Sequence, residues 1–297
     1  NNIDTIGYYN KNKLEDVDWI TKKHYEDNIL NDEFLNAAKS GNLVDINFAG
    51  GEPLLLPIHW DVLDALIENQ SAKDVSIRYQ SNLSMISYRD KNLKDLIKHF
   101  KKCFFQASID AGGNAGEYLR TGLNWNKWKR NYTELHNAWK DELEINIVPQ
   151  MSITIFSIFG FEELFDYLST MQVDNIDVQL VSCSEKTILL SPHILPSDIK
   201  QKWLDYYFSR LKKYSNALHP NVYDHLFQFG EKVSIFQEDN LPGFGSWKYK
   251  NKQQRLSNMQ SSYKYLSTLD NIRKTNMHDF LQDIPDLNNW YKELNHG

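Results

Sequence analysis

The chain has 297 residues, 41% hydrophobic and 13% aromatic, enough to bury a large core as one domain or as a barrel with an appendage. A net charge of -6, from 33 basic and 39 acidic residues, argues against a general nucleic-acid binder, which would be basic. No apolar run is long enough for a bilayer, no signal-peptide pattern opens the chain, and two cysteines, Cys103 and Cys183, cannot make a disulfide framework; a cytoplasmic protein without membrane or nucleic-acid partners is expected.

Residues 1–43 are polar, with a short strand or irregular segment at Ile3 to Tyr9 and one or two helices between Thr21 and Ala38. Val44, Ile46 and Phe48 then alternate with Asp45 and Asn47, which predicts a strand over 44–49. Gly50 and Gly51 let the backbone turn sharply and admit a ligand close to it. Glu52 puts a carboxylate at the strand tip, and Pro53 ends the strand. Trp60, Leu63, Leu66 and Ile67 predict a helix over 58–69. Strand, glycine turn with an acid, and helix make half of a βαβ unit, whose ligand groups sit at the C-terminal strand ends.

Further strands are predicted at 75–82, 103–110, 144–153 and 176–181. Helices are expected from Leu93 to Phe100, over 124–139 and from Phe161 to Leu168. Ala111 to Gly116 reads as a flexible loop, and Pro149 as a weak point or bulge in its strand. The tryptophans of 124–139 read as core packing rather than a cofactor box. Strands and helices thus alternate five times between 44 and 181, the pattern of a parallel α/β sheet or barrel. After Cys183, Pro192 and Pro196 mark a loop, and helices are predicted at 197–213, about 219–237 and about 248–266, broken at Leu241 to Gly245.

Gly50-Gly51-Glu52-Pro53 resembles the GGEP motif of radical S-adenosylmethionine (radical SAM) enzymes, which follows the second barrel strand and holds the amino group of the SAM methionine moiety. Ser81-Asn82-Leu83 resembles the Thr-Asn-Gly that ends the third strand, with a departure at Leu83; Asn82 reads equally as a turn residue. Ser108-Ile109-Asp110-Ala111, then Glu117 to Gly122, with Trp125 and Asn131, is similar to the fourth strand and loop of the SPASM/twitch group. Asp270 to Arg273 and Pro285-Asp286-Leu287 resemble a twitch-type tail, without cysteines for an auxiliary cluster.

The resemblance implies a radical-SAM-type partial (β/α)6 TIM barrel over 1–183, with a mostly helical extension over 184–297. It implies that Gly50, Gly51, Glu52 and Pro53 cradle the methionine end of SAM, that Ser108 and Asp110 meet the ribose hydroxyls, and that Gln150 or Ser152 meets the SAM carboxylate or the substrate. Asn82 and Gln179 complete the polar rim, and Arg120 is a candidate anion clamp or a surface residue. For Ser108 and Asp110 the plain alternative is a strand-end turn with an Asx cap. A [4Fe–4S] cluster, a peptide or small-molecule substrate and an electron donor such as flavodoxin or ferredoxin are implied with it. The family's Cys-x3-Cys-x2-Cys loop should precede residue 44, where this sequence has no cysteine. Truncation is the expected reason, since the sequence opens without Met. A SAM- or ligand-binding protein without turnover, and a TIM-like hydrolase or lyase using Glu52 and Asp110, are the rival readings.

Overall fold

A computed structural model describes residues 29–181, 187–235 and 252–294. The segment Ile3 to Tyr9, residues 21–28, Cys183 and the break at Leu241 to Gly245 lie outside the described residues. The fold is α/β. Helix α1 (Ile29–Lys39) precedes β1 (Asp45–Phe48), α2 (Pro57–Glu68) and β2 (Ser76–Ser81). A small hairpin, β3 (Ser87–Tyr88) and β4 (Lys91–Asn92), leads into the short α3 (Leu93–Leu96) and then β5 (Lys102–Ser108). Next come α4 (Gly113–Leu119), α5 (Trp125–Trp139), β6 (Ile145–Ile153), α6 (Phe161–Thr170) and β7 (Asp177–Leu180). Helices follow: α7 (Ser197–Lys213), α8 (Pro220–Ile235), α9 (Lys252–Arg273), α10 (Met277–Phe280) and α11 (Pro285–Leu294).

The main sheet runs β1-β2-β5-β6-β7, and β1 with β2, β2 with β5, and β6 with β7 are parallel. The strand order never reverses, unlike a doubly wound sheet with its switch point. The chain divides into two compact units: the described residues of 1–108 with 126–148, and those of 109–125 with 149–297. Among the described residues no helix is long and apolar enough to cross a membrane.

In the first unit, Ile46, Phe48, Ile77, Tyr79, Cys103 and Phe105 point to the buried face of β1, β2 and β5. Phe48, Tyr79 and Phe105 are register partners on adjacent strands. Their rings stack, with centroids 5.0 Å and 4.9 Å apart. Offset aromatic stacks add to area burial, and here they tie three strands at one level. Helices pack on that same face: α1 through Phe34 against Phe48, α2 through His59 to the Tyr79 hydroxyl at 2.8 Å, and α5 through Trp139 against Phe105. The opposite face is open, with Asp45, Asn47, Arg78, Gln80 and the aromatic Phe104 exposed and an Arg78–Asp45 ion pair at 2.7 Å. A closed barrel would fill that face with branched apolar side chains.

In the second unit, Phe161 of α6 meets Tyr207 of α7, whose hydroxyl donates to the Leu226 carbonyl of α8 at 2.6 Å. Trp203 donates to the Ile155 carbonyl at 3.0 Å. Asp270, near the end of α9, accepts from the Met277 N–H at 2.7 Å in the first turn of α10, which Asn276 caps, while Asp286 pairs with Lys202 at 2.6 Å.

Three local expectations fail. Ala111 to Gly116 is no flexible loop, since α4 begins at Gly113. Its glycines serve close approach: a Cβ on Gly112 would lie 2.7 Å from the Leu164 nitrogen, one on Gly116 would strike the Ala111 carbonyl, and one on Gly160 the Gly112 carbonyl. Pro149 does not interrupt β6, which runs unbroken from Ile145 to Ile153, and it sits one residue before the first β6–β7 partner pair, Gln150 with Asp177. The helix expected from Leu93 to Phe100 is one α-helical turn followed by a 3-10 turn over Ile97–His99.

Gly116→Ala, which would stabilise an ordinary helix, should here destabilise by about 1–3 kcal/mol through overpacking, read by urea denaturation. Burial holds the His59 imidazole down to about 3 from an ordinary 6.5, so it stays neutral in the folded state. The unfolded chain takes up that proton as pH falls below 6.5. The stability from this site is therefore constant above 6.5 and falls as pH drops from 6.5 toward 3. Between pH 7 and pH 5 the loss should be about 2 kcal/mol more in the wild type than in His59→Leu.

Candidate functional site

Gly50 and Gly51 follow β1 with φ of +84° and +57°, a left-handed pair that side chains tolerate poorly. A Cβ at either would meet nothing within 4 Å, so the space over this turn is open. Pro53 starts a 3-10 turn over Pro53–Leu55 and is buried. Glu52 caps that turn, accepting from the Leu54 N–H at 3.4 Å. Its carboxylate also reaches the tip of β2. Oε1 accepts from the Ser81 hydroxyl at 2.7 Å, and Oε2 from the Asn82 N–H at 2.7 Å.

The tip of β2 is shaped to present those donors. Asn82 turns its side-chain Oδ1 to the Ser84 N–H, which donates to it at 2.9 Å, as in an Asx turn. Leu83 takes φ of +54°, where a glycine would carry no strain. It is held by full burial, by its N–H donating to Ser81 Oγ at 3.0 Å, and by Asn131 donating to its carbonyl at 2.7 Å. This departure from Thr-Asn-Gly thus keeps the glycine conformation with a leucine. Ser81 and Asn131 are the residues that sequence reasoning under-weighted. Both stood in the resembling phrases, yet their role as supports of the turn is visible only in the hydrogen bonds.

All three donors to Glu52 are neutral, and among the described residues the carboxylate has no ion-pair partner. A carboxylate has about four acceptor positions, so capacity for a further donor remains. An ammonium suits that position: it brings the missing charge and has only donors to offer.

In the second unit Asp110 and Arg120 meet each other. Arg120 Nε donates to Asp110 Oδ2 at 2.7 Å and Nη2 to Oδ1 at 3.0 Å, a two-point guanidinium–carboxylate pair. The Ser152 N–H adds a third bond to Oδ1 at 3.0 Å, fixing the carboxylate against β6. The anion that Arg120 clamps is thus Asp110 itself. Gln150 and Gln179 both donate to Asp177 Oδ2, at 3.1 Å and 2.9 Å. In the first unit the Ser108 carbonyl accepts from Trp128 at 3.2 Å. Trp125, Trp128 and Trp139 are buried, as core packing requires.

Among the described residues no group of His, Cys, Asp or Glu side chains is placed to hold a metal ion. Cys103 is buried, and burial pushes its thiol far above the usual range. A cluster needs thiolates, so Cys103 is the wrong species. With only Cys183 besides it, the residues of this sequence do not fit a [4Fe–4S] cluster.

Removing Arg120 strands a mostly buried carboxylate. Arg120→Ala should cost about 1–3 kcal/mol, below the full buried-pair value because the arginine side chain is 31% exposed. A double-mutant cycle with Asp110→Asn in urea should return a coupling of about 1 kcal/mol or more.

No protein-family profile matches the chain, and a search of curated proteins found no match.

Proposed function

We propose that this chain binds S-adenosylmethionine by its methionine end at the Gly50–Pro53 turn, in a partial barrel of the radical SAM type. The observation that carries the proposal is the Glu52 carboxylate, oriented by three neutral donors, without a cationic partner among the described residues, beside an open left-handed glycine turn. The unreversed strand order and the exposed face of the first unit support an open barrel over a closed, side-chain-filled one. SAM binding and reductive cleavage separate here. Cleavage chemistry needs cluster thiolates that this sequence does not contain, so no electron-transfer step is assigned to its residues, and an electron donor has a role only if thiolates come from outside it. Binding without turnover is accordingly the activity assigned to the chain as given. The hydrolase reading is disfavoured because Asp110 would first have to leave its two-point arginine pair before acting as a base. A peptide or small-molecule substrate remains part of the proposal for a cluster-bearing form.

Calorimetric titration tests it. The wild type should bind SAM, and Glu52→Gln should weaken binding about tenfold or more, the worth of one charge-assisted bond. Methylthioadenosine, which lacks the amino acid end, should bind both forms alike. Gly51→Ala, strained by about 1 kcal/mol but free of internal clash, should stay folded and lose SAM as its methyl fills the ligand's space. Equal SAM affinity in wild type and Glu52→Gln would overturn the proposal, as would absence of SAM binding by the folded wild type.

A further inference from the structure

The second unit contains a cleft of about 420 Å³ that none of the preceding chemistry uses. One wall is strand β7 with its approach, Ile176, Asp177 and Val178; the other is one stripe of α8, and His193 completes the lining. That stripe is His225, Gln228, Phe229, Lys232 and Ile235, at the i, i+3, i+4, i+7 and i+10 positions of one helix face. The volume falls in the range of small-molecule sites, and such sites pair apolar walls with a few converging polar groups.

The walls divide by chemistry. Ile176, Val178, Phe229 and Ile235 give an apolar body, and Ile235 is 75% exposed with nothing to gain from that exposure unless it is covered. The polar groups are mainly donors. Lys232 is exposed and has no ion-pair partner among the described residues. Gln228, next to it on the stripe, offers an amide. His225 is anchored: the Ile176 carbonyl can only accept, so the 2.9 Å contact fixes Nδ1 as the donor and sets the ring's tautomer when neutral. The one acid in the cleft, Asp177, is held through its Oδ2 by the amides of Gln150 and Gln179, which fix its position and leave its charge in place.

From this arrangement we propose that the cleft between β7 and α8 is a binding site for a small organic carboxylate with an apolar body. Its carboxylate pairs with Lys232, assisted by the Gln228 amide, and its hydrocarbon part lies on Phe229, Ile176 and Val178. Lys232 sets specificity, because the one lysine lining the cleft rewards an anion over a neutral ligand of the same shape. The site is independent of the Glu52 turn.

The probe is 4-phenylbutyrate, followed by saturation-transfer NMR and titration on the whole chain. Binding should be seen for the acid and be about tenfold or more weaker for 4-phenylbutanamide, the neutral isostere. Lys232→Gln should bring the acid down to the level of the amide, while Lys232→Arg should keep most of the affinity. Both substitutions are at an exposed position, so the fold is retained. Glu52→Gln should leave 4-phenylbutyrate binding unchanged, which separates this site from SAM binding. Equal binding of acid and amide, indifference to Lys232→Gln, or no saturation transfer to the wild type would each overturn the proposal.

Discussion

The stack of Phe48, Tyr79 and Phe105 is the contact on which the first unit depends. A strand's side-chain period is two, so a slip of one residue would turn each of these rings to the open face. Three rings at one level across three parallel strands make such a slip costly at every step. With the rings fixed, the strand ends are fixed too. Glu52 lies four residues beyond Phe48, and Ser81 and Asn82 two and three beyond Tyr79, so the acid of one tip meets the donors of the next. Core packing and site geometry are here one constraint seen at two heights along the strands.

Two strand-end acids are handled in opposite ways. Asp110 is matched by a guanidinium with two bonds and a backbone N–H with a third, so its charge is answered within the protein. Glu52 is answered only by a hydroxyl and two backbone N–H groups, which orient a charge without cancelling it. The first arrangement is that of a structural clamp. The second leaves a field directed at whatever occupies the space over Gly50 and Gly51, and that asymmetry gives Glu52, rather than Asp110, the stronger claim to a ligand.

Much of the fold was legible in the residues. The five main strands and the helices at 57–68, 125–139, 161–170 and 197–213 follow from the alternation of Val, Ile and aromatic residues and from helical spacing, because one-sided burial imposes those periods. The Gly-Gly-Glu-Pro turn was legible for the same reason: only glycine takes two successive left-handed residues cheaply. What escaped depends on partners distant in sequence. Nothing local says that Arg120 will close on Asp110, that Leu83 will accept a left-handed backbone because Asn131 holds its carbonyl, or that Pro149 sits just ahead of the β6–β7 ladder. The α8 cleft was invisible for a like reason, since its two walls are separated by more than forty residues and only the stripe on the helix could be read alone.

The glycines Gly112 and Gly160 have a mechanical consequence. Where main chain rests on main chain, there are no side-chain torsions to take up slack, so the joint between α4 and the start of α6 cannot loosen by degrees. It will behave as a hard stop under heat or pressure, seated or parted, and the helices on either side of it should part company as a single event rather than by gradual softening.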